Sequence, residues 1–201
     1  MRVEIIKKKE MLEKTKPFYI DKLLWGTEKC PRTYGYMGYL SGEGFLIKMI
    51  CEERDPYRTY TGANDPVYLD STVEAFLMFE AQNSDAQGIY LNFEINSNGA
   101  MLAAYGKNRS ERTFIPDEIR KEIVCEARIE KEYWTVELKI PVSVLEQIYG
   151  PLMLEQGRKF RCNFYKISET KEIEHYASYA KIESKTPNFH LPEFFETAIL
   201  E

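Results

Sequence analysis

The sequence predicts an all-β protein, an antiparallel β-sandwich of the immunoglobulin-like or jelly-roll type with one or two short helices. Three observations carry this. Several stretches alternate apolar and polar residues with period two, the pattern of a strand with one buried face. Turn signals recur roughly every ten residues, as in sandwiches. Aromatic residues are abundant, with 14 Tyr, 11 Phe and 2 Trp in 201 residues, and such residues favour sheet.

In chain order, Lys8–Lys14 reads as a short helix. Tyr34–Leu40 and Phe45–Cys51 form a hairpin around Ser41-Gly42-Glu43-Gly44. Glu52–Leu69, with Asp55-Pro56, Gly62 and Asp65-Pro66, is the longest irregular stretch, and long loops in compact sandwiches often carry function. In Thr72–Glu80, Val73, Ala75, Leu77 and Phe79 share one face. Its other face mixes Glu74 and Glu80 with Phe76 and Met78, which suggests a strand covered on both sides for part of its length.

Ile89–Asn96 alternates most clearly, Ile89, Leu91, Phe93 and Ile95 against Tyr90, Asn92, Glu94 and Asn96. Asn96-Ser97-Asn98-Gly99 then turns the chain into Met101–Tyr105, since Asn-Gly tolerates positive φ. Ile123–Glu130 points Ile123, Cys125, Ala127 and Ile129 inward, and a tight turn at Glu130-Lys131-Glu132 leads to Trp134–Ile140, with Trp134, Val136, Leu138 and Ile140 inward. Pro141–Tyr149 is the best helix: Pro suits the first turn, Val144, Leu145 and Ile148 share a face, and Gly150-Pro151 stops it. Phe160–Tyr165 sets Phe160, Cys162 and Phe164 against Arg161, Asn163 and Tyr165. No repeat, low-complexity tract or linker interrupts residues 1–201, so they read as a single domain, long enough to bury roughly 70% of its unfolded surface.

Composition excludes several functions. A net charge of −5, with Lys7–Lys9 the only dense basic run, argues against nucleic acid as a partner. Cys30, Cys51, Cys125 and Cys162 show no C-x-x-C spacing, and His175 and His190 are the only histidines, so zinc and thioredoxin-type chemistry lack material. Cys125 and Cys162 fall on apolar strand faces and read as small buried hydrophobes. No segment approaches the ~18 apolar residues of a membrane helix. The N-terminus has no secretory apolar region, which together with Met1 makes a cytoplasmic location the expectation. The pattern specifies no oligomeric state.

Five segments, taken in order, resemble the family 9 carbohydrate-binding modules and their close relatives. Tyr68, followed by Asp70-Ser71 and Glu74 at the start of a strand, is similar to that family's aromatic-x-Asp-Ser-x-x-Glu pattern. Tyr90–Gly99 resembles the strand and Asn-containing turn that follow. Trp134-Thr135-Val136-Glu137-Leu138-Lys139-Ile140-Pro141 is similar to its strand leading into a short helix. Cys162–Lys166 and the stretch from His175-Tyr176-Ala177-Ser178-Tyr179 to Phe189-His190-Leu191-Pro192-Glu193 look like its closing segments. The resemblance covers roughly residues 30–200 and implies a sandwich that binds a mono- or oligosaccharide, at a chain end, without cleaving it.

The resemblance also implies site residues. Tyr68 and Tyr179 match two rings that clamp a sugar, where the family often carries Trp. Glu74 matches a polar reader, Asn96 a polar position on the next strand, and Glu94 stands where sugar-binding members can carry a basic residue. Such parts suit a pyranose, whose C–H faces take aromatic rings and whose hydroxyls take carboxylates and amides. Arg161 and Asn163 on one strand are further candidates for hydrogen bonds to a ligand. Read without the resemblance, Glu74 and Glu94 are solvated strand carboxylates, Asn96 serves its turn, Tyr179 packs beside Tyr176, and His190 is a structural histidine bonded to backbone. No cofactor is required; calcium, an oxygen-seeking ion, has weak candidate ligands in Asp55 and Asp70. Two other readings stand beside sugar binding. One is a glycoside hydrolase using Glu74 and Glu94 as paired carboxylates. The other is an interaction or structural domain with a degenerate sugar cleft.

Overall fold

The computed structural model describes residues 1–81 and 84–201. Among the described residues fourteen strands run in chain order: β1 (Arg2–Ile6), β2 (Phe18–Ile20), β3 (Lys22–Leu23), β4 (Arg32–Leu40), β5 (Gly44–Glu52), β6 (Thr72–Met78), β7 (Tyr90–Asn96), β8 (Met101–Gly106), β9 (Thr113–Phe114), β10 (Val124–Ile129), β11 (Trp134–Pro141), β12 (Lys159–Ser168), β13 (His175–Ser178) and β14 (Glu196–Leu200). Two short α-helices, α1 (Asp117–Arg120) and α2 (Val142–Tyr149), join them. Lys9–Lys14 is helical but of the tighter 3-10 form. The hairpins at Ser41–Gly44 and Asn96–Gly99 lie where the sequence places them, and Gly99 takes φ +81°, the left-handed conformation its turn needs.

The strands make two hydrogen-bonded layers. One runs β10-β11-β5-β4 and the other β14-β12-β6-β7-β8-β9. The expectation of a wholly antiparallel sandwich is corrected at β1. That strand pairs in parallel with β14 through Arg2–Val3 and in parallel with β4 through Glu4–Ile6, so it crosses from one layer to the other and makes the sheet mixed. Parallel neighbours need a long connection, and β1 has one on each side: residues 7–31 separate it from β4, and β14 comes from the far end of the chain.

The main core lies between the layers and follows the period-two pattern. Val73, Ala75 and Leu77 of β6, Leu91, Phe93 and Ile95 of β7, and Phe160, Cys162 and Phe164 of β12 meet Phe45, Ile47 and Met49 of β5 and Trp134, Val136 and Leu138 of β11. Edge strand β10 departs from the expectation: Ile129 is exposed, and Cys125, expected to be a buried hydrophobe, and Ala127 are only half-buried, because β10 has a neighbouring strand on one side only.

The outer faces of β6, β7 and β12 are also buried, which the mixed outer face of β6 foreshadows. Loops close over them. Leu24, Ile182, Phe189 and Phe195 pack on Phe76, Tyr90 and Tyr165, forming a second apolar cluster on that side. Glu74 and Glu94, read in isolation as solvent-facing carboxylates, are therefore only 2% and 3% exposed.

Candidate functional site

A cavity of about 280 Å3 opens between this outer face and its covering loops. Its volume falls just short of the roughly 300–1,000 Å3 typical of drug-sized ligand sites. Trp25, Tyr68, Tyr176 and Phe189 supply aromatic wall; Glu74, Glu94, Glu169, Asn188, His190, Arg109 and Arg112 supply polar groups.

Strand alternation decides which residues reach it. Glu74 on β6 lies directly opposite Glu94 on β7, so both carboxyls share one face. Glu94 accepts from Asn92 Nδ2 at 3.1 Å and is 3.4 Å from the Arg112 guanidinium. Among the described residues no group hydrogen-bonds the Glu74 carboxyl. An almost fully buried carboxyl without a protein partner is rare and costly unless something else satisfies it. Burial, then the neighbouring Glu94, pushes Glu74 well above the usual carboxylate range. Burial pushes Glu94 up to about 7, with Arg112 working in the opposite direction. The upward shift at Glu74 favours its protonated form, which can donate as well as accept.

The loops fix the remaining groups. Trp25 holds φ 49°, followed by Gly26 at φ 82°, and a non-glycine residue in this region is uncommon. Its indole N–H donates to Ser184 O at 3.0 Å, and its ring packs 5.4 Å from Tyr176 and 5.3 Å from Phe189. Phe189 in turn stacks on Tyr165 at 4.0 Å. His190 Nδ1 lies 3.0 Å from the Tyr90 hydroxyl, and its backbone N–H donates to Asn188 Oδ1. Burial, with Arg112 and Arg109 nearby, lowers His190 to about 2, so the ring is neutral. The expected backbone bond to the His190 ring is replaced by this side-chain partner.

Of the residues expected at a site, the structure brings Tyr68, Glu74 and Glu94 together at the cavity. The others lie elsewhere. Tyr179 packs edge-on against Phe18 and Phe164, at 5.9 and 6.1 Å, because alternation along β13 sends Tyr176 to the outer face and Tyr179 to the inner one. Asn96 donates to Tyr60 O and Asp70 Oδ2 and caps its turn through Ala100 N–H. Arg161 donates to the carbonyls of Glu193 and Phe195, tying down β14's approach. Asn163 bonds Ala180 through both its amide groups. The weak calcium candidates are also engaged: Asp70 is fully buried and accepts from the backbone N–H of Thr59 and Tyr60, while Asp55 pairs with Arg58 on the surface. Among the described residues no group of three or more His, Cys, Asp or Glu could hold a metal.

Sequence reasoning missed Trp25, Arg109, Arg112, Glu169, Tyr176, Asn188 and Phe189. A signal existed for the first. Trp25 is one of two tryptophans and sits in Leu24-Trp25-Gly26-Thr27, outside any alternating run, where a core role has no support. Arg109 and Arg112 arrive on the loop after β8, and nothing local marks that loop.

Fold and cavity together define a β-sandwich domain with an aromatic-walled, carboxylate-floored ligand cleft on one outer face. The sequence profile described as carbohydrate-binding family 9 matches residues 4–200, and the chain belongs to that family; it is a carbohydrate-binding domain. Among solved structures, a candidate carbohydrate-binding protein from Bacteroides uniformis ATCC 8492 superimposes with a TM-score of 0.85 at 22% identity, covering 100% of this chain and 98% of the other. A family 9 module from Caldicellulosiruptor kristjanssonii in complex with cellotriose gives a TM-score of 0.63 at 12% identity, over 100% and 94% of the two chains. The same organism's module in complex with glucose gives 0.64 at 12% identity, over 100% and 96%. No curated protein matches this sequence.

Proposed function

We propose that the cavity lined by Trp25, Tyr68 and Tyr176 holds a single sugar ring, free or at the end of a short oligosaccharide, and does not cleave it. The observation that carries this reading is Glu74: a carboxyl 2% exposed, without a protein hydrogen bond, at the floor of an aromatic-walled cavity. A sugar hydroxyl would satisfy it, and the rings would cover the sugar's C–H face. The glucose and cellotriose bound by the Caldicellulosiruptor kristjanssonii modules make glucose-type sugars the first ligands to try. The reading assigns no metal to Asp55 or Asp70, whose oxygens are used within the protein.

A non-catalytic role also fits the carboxyl geometry. Glu74 and Glu94 are cross-strand neighbours on one sheet face, so they line one side of a ligand, whereas glycosidase carboxylates flank the scissile bond. Calorimetric titration with glucose, other monosaccharides and cello-oligosaccharides tests the proposal. Binding is expected for at least one, and Tyr68→Ala and Glu74→Ala are each expected to weaken it by about tenfold, the scale of one aromatic contact or one buried hydrogen bond. Silence across a broad panel at millimolar sugar would refute it, and release of reducing ends from an oligosaccharide would favour the hydrolase reading instead.

A further inference from the structure

The two layers end differently at their outer edges. Beyond β8 the backbone is closed off. β9 pairs with it at Ala104 and Tyr105, the Asn64 N–H donates to Met101 O, and the N–H and C=O of Ala103 go to Asn64 Oδ1 and the Ile115 N–H. β10, at the end of the other layer, is paired on one side only. The Glu130 N–H donates to Tyr133 O across the β10–β11 turn, which marks that pair as hydrogen-bonded. Alternation then turns the backbone groups of Glu126 and Arg128 towards Glu137 and Thr135 of β11. The N–H and C=O of Cys125, Ala127 and Ile129 consequently face away from the sheet, and among the described residues none of them has a hydrogen-bond partner. The turn at Gly99 approaches Ala127 without bonding the strand. No proline or bulge interrupts β10, and an edge left in this state is a template for another strand.

The side chains indicate which strand. Glu126 and Arg128 project from one face of β10, exposed and 3.4 Å apart. Cys125 and Ala127 project from the other and pack against the rim of the core, with Ile129 exposed beyond them. A second copy of β10 laid antiparallel must set outward-facing backbone groups opposite outward-facing ones. With Ala127 opposite Ala127, Glu126 of each copy faces Arg128 of the other, and Cys125 faces Ile129. The neighbouring registers that also match the backbone set Glu126 against Glu126 or Arg128 against Arg128, and like charges directly opposite are unfavourable. Glu137, opposite Glu126 on β11, is already paired with Lys9 and Lys48. We propose that β10 is a homodimer interface, in which two copies pair this strand antiparallel about a two-fold axis at Ala127 and join their β10-β11-β5-β4 layers into one continuous sheet. The surface is self-complementary, as a two-fold contact requires. None of the residues lining the cleft lies on β10, so each dimer would carry two clefts.

The test is sedimentation of the full chain over a range of concentrations, with amide hydrogen exchange beside it. The mass should rise from 23.6 kDa towards twice that value between about 10 μM and about 1 mM, the range of a small, weak interface. Exchange at Cys125, Ala127 and Ile129 should slow as the dimer forms, while the Glu126 and Arg128 amides, bonded to β11, should be protected throughout. Ala127→Pro removes an N–H that β11 does not use and should abolish the dimer. Glu126→Arg and Arg128→Glu, at exposed positions, should each weaken it about tenfold, the scale of two exposed ion pairs turned repulsive, with little change in melting temperature at low concentration. Mixing those two charge variants restores opposite charges at both crossings, so a heterodimer should form where neither variant dimerises alone. A monomer persisting to millimolar concentration would overturn the proposal. So would a dimer indifferent to these substitutions, or a mixture of the charge variants that stays monomeric.

Discussion

Glu74 and Glu94 stand opposite each other on adjacent strands, both buried, yet only Glu94 has a cation and a hydrogen-bond donor. Burial raises both carboxyls, so the folded protein holds protons that the unfolded chain, with ordinary carboxyls near 4.5, releases. A raised carboxyl contributes a stability term that is present in acid and lost as pH rises through the folded value. From about pH 4.5 to above 7, this pair therefore costs increasing stability, about 3 kcal/mol for Glu94 alone at about 1.4 kcal/mol per pH unit. Glu74→Gln keeps the shape and the donor without the titration. Its melting temperature should exceed that of the wild type at pH 8.5, and the gap should close near pH 5. Parallel melting curves in both buffers check this; a gap independent of pH would contradict it.

Tyr68 and Tyr179 are separated by the structure into two roles. Tyr179 packs on Phe18 and Phe164 at the inner face, so Tyr179→Ala should cost about 1–2 kcal/mol in urea unfolding and leave sugar affinity near wild type. Tyr68→Ala should do the reverse, weakening binding with a small change in stability. Equal loss of binding in both variants would show that Tyr179 reaches the ligand after all.

The difference between these two tyrosines also shows what a single sequence can convey. Strand existence was legible from period-two alternation, which reports the inner face faithfully: Phe93, Trp134 and Phe164 all lie in the core. The same rule misleads on the outer face, because burial there depends on the loops at residues 24–28 and 181–195 folding back over the sheet, a contact between distant segments. Glu74 and Glu94 looked solvated for that reason. The parallel pairing of β1 was hidden likewise, since it joins the two ends of the chain. At the cleft, Glu74 and Glu94 come from regular strands and Tyr68 from the 3-10 turn Val67–Leu69 shortly before β6, while Trp25, Arg109, Arg112 and Asn188 come from loops whose positions no local periodicity encodes.

Below the β6–β12 face lies a buried polar knot that should dominate local stability. Lys166, fully buried, donates to Ser71 Oγ at 2.6 Å and to His175 Nε2 at 2.9 Å, and lies 3.8 Å from Glu53. Glu53 also accepts from the Trp134 indole N–H at 2.9 Å. His175 is lowered to about 4 by burial and by Lys166, which keeps it a neutral acceptor. Lys166→Met removes the cation and leaves Glu53 uncompensated, so it should cost about 3–5 kcal/mol, the scale of breaking a buried pair. Double-mutant analysis with Glu53→Gln should recover part of that loss, because the second change removes the orphaned charge. Additive losses, measured by chemical denaturation, would mean the two groups are not energetically coupled.

Tyr90 offers a test of whether the cleft is shaped from behind. It is fully buried on the outer face of β7, stacks on Phe76 at 5.7 Å, and reaches His190 Nδ1 with its hydroxyl. It does not line the cavity; His190 does. Because burial holds the imidazole neutral, one ring nitrogen must donate and the other accept, and the Tyr90 hydroxyl is the partner of Nδ1. Tyr90→Phe removes that bond with little change in packing. Stability should fall by about 1 kcal/mol, the net worth of a typical hydrogen bond. Sugar affinity should fall as well, although no contact to the ligand is deleted, since the ring is then free to turn. The readouts are a calorimetric titration beside a melt, with the nitrogen chemical shifts of His190 followed by NMR. An unchanged His190 tautomer and unchanged affinity would show that Phe76 and the neighbouring rings hold the imidazole without help from the hydroxyl.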